Sequence, residues 1–370
     1  MEEVQHGCRS AWRRWMYNSL RCELGATGKS SYHQLRNANQ DHPRVRRVRA
    51  MAQHFLLSAA ARTLSVKTIY AEGEEAAYRR FCKLRWPRTD GRPVCPSCGA
   101  LRAYDLAARR RFKCRACHRQ FSVTSGTIFA SRKLAFVDLL GAIALIVNAA
   151  KGISALQLSR CAGLSYKTAF VLAHKLREAL AWETQDFTVN GTAEVDGAYF
   201  GGHVRPANAR ADRVDRRLKA HRAEARRSVI ALRQRNGRTL TGVSRTEADG
   251  ISLARSRIAP GSTVLADETP HWDLMGGTFN LERVNHSDAY SFLDGIHVNG
   301  AESYFARLRR MIRGQHHRVG AGSLHGYAAH AAWLEDHRRQ SNGALVARAI
   351  GNGLSAPVSR LWKGYWRRAE

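Results

Sequence analysis

Four cysteines constrain this chain more than any other feature: CPSC at 95–98 and CRAC at 114–117, with fifteen residues between the two pairs. A C-x-x-C turn lets two thiolates reach one ion, and two such turns complete a tetrahedral zinc site. The chain between and after them, RAYDLAARRRFKC and RQFSVTSGTIF, reads as β-hairpin material. The spacing therefore predicts a zinc ribbon with Cys95, Cys98, Cys114 and Cys117 as ligands of one Zn²⁺. Four sulfurs leave no open position for water, so the ion is structural. Two redox dithiols would need βαβ surroundings, which these flanks lack. The other four cysteines are scattered, which is not a disulfide framework and points to a reducing, cytoplasmic compartment.

Charge narrows the partner. Lys and Arg number 60 against 30 Asp and Glu, a formal net charge of +30 in 370 residues. Such an excess implies a polyanionic partner, because each neutralised phosphate releases counterions. No polybasic segment borders a spanning helix, and the longest apolar run, LLGAIALIV at 139–147, is about half the length a bilayer requires. Asp138 and Asn148 bracket that run, which reads as a buried helix. The N-terminus has no apolar signal region. DNA, and no membrane, is the expectation.

A second DNA-binding element follows the ribbon. KGISALQLSRCAGLSYKTAFVLAHKLREAL, 151–180, divides at CAGLS into two helices. Ile153, Leu156 and Leu158 belong to the first, Gly163 suits the turn, and Ala169, Leu172 and Leu176 face inward from the second. Ser165, Tyr166, Lys167 and His174 then face outward, with Ser165 placed to cap. That is how a recognition helix enters a major groove, although an ordinary helical hairpin has the same pattern.

Beyond Thr188 short strands take over. TAEVDGAYFGG carries Asp196 in a strand; SVIALRQRNGRTLTGVSRT is two strands joined at Asn236-Gly237, a hairpin signal. A helix (ADGISLARSRI), a strand ending at Asp267 (STVLADE), HWDLMGG, a strand (TFNLERVNHS) and a helix bearing Glu302 (HVNGAESYFARLRRMI) complete the order. In an RNase H-like fold the first and fourth strands are neighbours, so Asp196 and Asp267 converge and the late helix brings a third acid. Such a triad holds two Mg²⁺ ions for chemistry at phosphorus. Each acid has a plainer alternative: Asp196 a solvated strand residue, Asp267 the start of a turn, and Glu302 half of a capping box with Asn299 as N-cap. Glu268, beside Asp267, points to the other face by strand alternation.

These ordered motifs resemble one family: the bacterial insertion-sequence transposases with a zinc ribbon and an ISXO2-like DDE domain. The resemblance spans roughly Met51 to Arg368. It rests on the cysteine ribbon with FSVTSGTIFASRK, GISALQLSRCAGLSYKTAF, EVDGAYFGG, LADE, RVNHSDAYS, HVNGAESYFARLRRM and WLEDHRRQSNG. It implies metal-dependent cleavage and strand transfer at the terminal inverted repeats of an insertion sequence. Mg²⁺ or Mn²⁺ would be held by Asp196, Asp267 and either Glu302 or Asn299. Glu302 is preferred, since an ionised carboxylate holds a hard cation more firmly than an amide. Arg309 stands where relatives often have Lys and would bind phosphate. It also implies a homo-oligomer on DNA and association with the nucleoid. Relatives carry Glu and Arg in a YxxExxWRED pattern where this chain has His330 and Leu334, so a catalytically inactive DNA-binding derivative is the alternative function.

The resulting expectation is an α+β multidomain chain. Residues 1–50 form a non-native or disordered basic extension, either upstream of a natural start at Met51 or a basic arm on DNA. Residues 51–90 form a helical segment, 91–130 the ribbon and 131–187 the helix-turn-helix-like region. Residues 188–342 form the RNase H-like catalytic domain with a mixed five-stranded sheet, and 343–370 a basic tail.

Overall fold

The structure, a computed structural model, describes residues 54–201, 207–215, 218, 224–284 and 298–364. The readings made of residues 1–50, most of RVNHSDAYS and the last basic residues lie outside these.

The cysteine region forms a small antiparallel sheet of β1 (Ala103–Leu106), β2 (Arg111–Cys114) and β3 (Gln120–Phe121), ordered β1-β2-β3. Phe112 and Phe121, on its inner face, pack edge-on against Trp86 at the end of α1 (Val66–Arg85). The ribbon is thus joined to the main core through aromatic area, the densest apolar payload a side chain offers. Next come α2 (Phe136–Asn148), which holds the LLGAIALIV run and is buried almost throughout, α3 (Ala155–Ala162) and α4 (Tyr166–Trp182). Ser154 and Ser165 cap α3 and α4 by accepting from the Gln157 and Thr168 N–H groups, and Gly163 closes α3 in the left-handed conformation at φ 62°. The first helix begins later than expected: Ile153 precedes it, and Leu156 is exposed.

The second sheet is mixed and five-stranded, in the order β6-β5-β4-β7-β8. It comprises β4 (Thr192–Phe200), β5 (Arg227–Gln234), β6 (Thr239–Ser244), β7 (Thr263–Asp267) and β8 (Asn280–Val284). β4, β5 and β6 form antiparallel pairs, while β7 pairs in parallel with both β4 and β8. Asn236 sits at φ 56° in the β5–β6 turn, as the Asn-Gly signal requires. α5 (Gly250–Arg257) and a 3-10 helix (Pro270–Met275) cover one face with Ile251, Ala254, Trp272 and Met275, which meet Ala193, Val195 and Val264. α6 (Asn299–Met311) covers the other, where Phe305 stacks on Phe200. This is the predicted α+β architecture with an RNase H-like sheet.

One expectation fails here. Residues 343–355 are not tail: Asn342–Ser355 form a helix, α8, capped by the Ser341 hydroxyl. Val346, Ala349, Ile350 and Leu354 recur at helical spacing and enter the core, while Gly353 leaves room for the Phe129 ring, which a Cβ there would meet at 2.3 Å. Gly343 and Gly353 of this helix are sites of close packing. α7 (Leu324–Asp336) joins α6 to α8. Glu183 ties these parts together by accepting from Trp333 Nε1, Arg348, Asn352 and Arg238. No described helix is long and apolar enough to cross a membrane.

Candidate active site

Strand alternation sends Glu194, Asp196, Ala198 and Phe200 toward α6, and Ala193 and Val195 toward α5. The parallel register pairs Val195 with Ala266, so the next residues on each strand, Asp196 and Asp267, lie side by side where β7 ends. Both are half-buried; Glu268, one residue on, is exposed. Asp267 also shapes its own turn, its carboxylate accepting from the Thr269 hydroxyl at 2.6 Å and from the Thr269 N–H at 3.3 Å.

Glu302 lies in the first turn of α6. The predicted capping box does not form. Asn299 is already helical and exposed, and Val298 is the N-cap residue with no side-chain bond. A different carboxylate caps this helix: Glu194, buried on β4, accepts from the Ala301 N–H at 2.9 Å and pairs with Arg235 at 3.3 Å. Gly300 makes that approach feasible, since a Cβ there would stand 2.7 Å from the Glu194 carboxylate. Glu194 therefore fastens the helix of Glu302 to the strand of Asp196, a positioning role that nothing local in the sequence announces.

Asp267 and Glu302 both act electrostatically on Asp196. Burial raises Asp196 to about 6, and Asp267 and Glu302 push the same way against the Gly197 N–H and Arg309. A fourth carboxylate, Glu247, joins them from the loop after β6. Burial, then Asp196 and Asp267, push it up to about 7. Its side chain fills the space left by Gly197, the residue after Asp196. Glycine inside a strand marks close approach of another group, and that is the one trace of Glu247 in the sequence.

The ribbon cysteines also converge. The sulfurs of Cys95, Cys98, Cys114 and Cys117 lie within 4.8 Å of one another. The N–H groups of Ala116 and Cys117 point at the Cys114 sulfur, at 3.3 and 3.5 Å, as they would toward a thiolate. A closed set of four sulfurs is the donor chemistry of structural zinc.

Comparison with known proteins agrees with both halves. Residues 188–336 match the ISXO2-like transposase domain, and residues 72–120 match the transposase zinc-ribbon domain. Two segments of the chain thus match a transposase zinc ribbon and an ISXO2-like transposase domain. The chain is also 25% identical over 261 residues to an uncharacterized protein in transposable element ISH50 of Halobacterium salinarum, a match covering 67% of this chain and 86% of that one.

The helix pair α3–α4 lies between the two matched segments. Ser165, Tyr166 and Lys167 are exposed at the start of α4, as expected for a recognition helix. His174 is not: it is 6% exposed, with Trp362 stacked on its ring at 4.0 Å and Tyr327 edge-on. The pattern of α4 alone could not show that aromatic residues from the chain's C-terminal end cover that face. Arg309 is exposed two turns beyond Glu302. In the ribbon, Arg109, Arg111 and Lys113 face solvent, whereas Arg110 turns back to pair with Glu74 and Glu75.

The positions of His330 and Leu334 also resolve. Leu334 is an ordinary core residue. His330 is fully buried with neither ring nitrogen bonded, and burial together with Arg177 and His316 drives its pKa well below the ordinary value. Arg177 is 3% exposed, its Nε unpaired and its guanidinium 4.0 Å from the Tyr327 ring centre. A buried arginine without a carboxylate is costly. His330→Glu should supply one and stabilise the protein by about 2 kcal/mol. A thermal melt of that variant at or below the native midpoint would refute the pairing.

Proposed function

We propose that this chain is a DNA transposase that binds the terminal inverted repeats of its element and performs metal-dependent strand cleavage and strand transfer. The observation that supports the reading is the parallel register that sets Asp196 beside Asp267 on neighbouring strands, with Glu302 acting electrostatically on Asp196, within the segment that matches the transposase domain. The donor set has divalent-ion chemistry: oxygen-only and acidic, with Asp196 and Asp267 half-buried and Glu302 exposed. When bound, two Mg²⁺ or Mn²⁺ ions would supply Lewis-acid activation of the attacking oxygen and charge at the leaving oxygen.

The chain's own residues do the rest. Asp196, on a central strand, and Asp267, at a strand end, would hold the ions, with Glu302 as the third ligand from α6. Asn299, at the start of the same helix and exposed like Glu302, is the weaker candidate for that third position, since a neutral amide holds a hard cation less firmly than a carboxylate. Arg309, on the same face as Glu302, presents a guanidinium to a phosphate of the bound strand. Ser165, Tyr166 and Lys167 at the start of α4, with Arg109, Arg111 and Lys113 on the ribbon, form the DNA-facing surface; His174 leaves that set because it is covered. Synapsis of two ends calls for a homo-oligomer.

The test is an assay on a duplex carrying the repeats that flank the gene, with Mg²⁺ or Mn²⁺. Nicked ends plus joined products are the expected result. Free ends without joining would indicate a plain nuclease, and binding without cleavage the inactive DNA-binding derivative; either overturns the full reading.

A further inference from the structure

We infer that Lys151, Arg307 and Arg310 form a phosphate-binding pocket for the DNA duplex, set between the helix pair α3–α4 and α6, an inference that rests on the function proposed above. The first observation is the pocket itself. Ala150, Lys151, Arg307 and Arg310 line a cavity of about 200 Å³, with three cations and no acid in its wall. A concave wall of one charge sign focuses the local field and draws in an anion.

The second is how that wall is built. Gly152 stands at φ 75°, and its N–H donates to the Ala149 carbonyl at 2.9 Å in the tight turn between α2 and α3. A Cβ at Gly152 would approach His316 Nε2 to 3.3 Å, so glycine lets this turn come close to the chain that follows α6. Gln315 donates to Gln157 Oε1 at 2.8 Å and fastens α3 to the same segment. The turn then offers the Ala150 carbonyl to Arg307 Nη1 at 3.2 Å, while Arg307 Nε pairs with the buried Glu335 at 2.7 Å. Two bonds fix that guanidinium in one orientation, and its Nη2 has no partner among the described residues.

The third is uncommitted charge. Arg233, Arg235, Arg238 and Arg348 each pair with a carboxylate. Lys151 and Arg310 are exposed, and neither forms an ion pair among the described residues. Arg310 donates only through Nε, to the Ala306 carbonyl of its own helix at 3.0 Å.

Position selects the partner. At 3.6 residues per turn, Arg310 and Arg307 lie about 80° and about 140° round α6 from Glu302, whereas Arg309 lies about 20° from it. The pocket therefore faces α3 and not the acids. Its phosphate belongs to the duplex that the helix pair binds, away from the bond being cut. Guanidinium forks and a lysine point charge grip phosphate oxygens without reading bases.

The test is duplex binding by the full chain over a salt series, without added divalent ion so that no strand is cut. One duplex carries the flanking repeats and the other a scrambled sequence. Lys151→Gln and Arg310→Gln should each weaken binding to both duplexes about tenfold and lower the salt slope by about one. Both variants should melt at the native midpoint, because neither residue is buried or ion-paired. Lys67→Gln removes an exposed lysine of α1 outside the pocket wall and should change neither quantity. Native affinity in the two pocket variants, a loss confined to the repeat duplex, or an equal loss in Lys67→Gln would overturn the inference and leave the proposed function standing. If the native chain binds neither duplex, the proposed function fails and the pocket's role with it.

Discussion

Replacing Asp196 with Asn should reduce strand cleavage by at least about a thousandfold while leaving binding to the element ends unchanged. The side chain keeps its shape and loses the negative charge that sits beside Asp267. Without that charge the ion pair at the site is under-held, and the barrier at phosphorus returns toward its uncatalysed height. The residues proposed to face DNA, on α4, the ribbon and Arg309, lie on other elements and are untouched. The variant also offers an internal control for folding. Asp196 is raised to about 6 by burial, with Asp267 and Glu302 adding to it, so its charged form is disfavoured in the metal-free fold. A neutral amide removes that penalty, and the metal-free variant should melt no lower than native. Undiminished cleavage by a well-folded Asp196→Asn would remove the active-site assignment.

Stripping zinc, or replacing Cys114 with Ser, should unfold the ribbon and lower the melting midpoint by on the order of 10 °C. Cys114 is buried at the end of β2, and the tetrad supplies most of the order in a sheet whose third strand has two residues. Small metal-dependent domains lack enough apolar area to fold without their ion. The loss should spread, because Phe112 and Phe121 pack against Trp86 on the main core. Elemental analysis should find one zinc per chain, and chelation should change the fluorescence of Trp86's surroundings along with the midpoint. A Cys114→Ser protein that melts like the native one would show that the tetrad is not a structural metal site.

Much of this molecule was legible before any tertiary contact was known, and the reason is the range of the interactions involved. The cysteine spacing, the Asn236-Gly237 turn, the serine caps at Ser154 and Ser165 and the apolar period of α4 are local features. Each acts within a few residues, so the sequence displays it directly. The strand order did further work: placing the first and fourth strands together, with alternate residues on alternate faces, was enough to bring Asp196 and Asp267 to one spot and to turn Glu268 away.

Other features depended on contacts between residues far apart in the chain. The Asn299 capping box satisfied the local rule, yet Glu194, more than a hundred residues upstream, supplies the cap. His174 has the helical phase of an exposed residue until Trp362, from the far end of the chain, stacks on it. In sequence the helix α8 reads as a basic tail because the purpose of Gly343 and Gly353, room for the Thr63 region and for Phe129, is visible only in the packed core. Glu247 stood in a polar loop with no periodicity to mark it.

The sequence alone therefore determined a four-sulfur ribbon, a helix pair and a sheet on which two aspartates meet, since spacing and alternation carry that information along the backbone. Only the tertiary structure decided which helix face stays open, what holds Glu302 in place, and that a fourth acid stands at Gly197. Those depend on which distant groups share a small volume, and on the free energy of burying them there together.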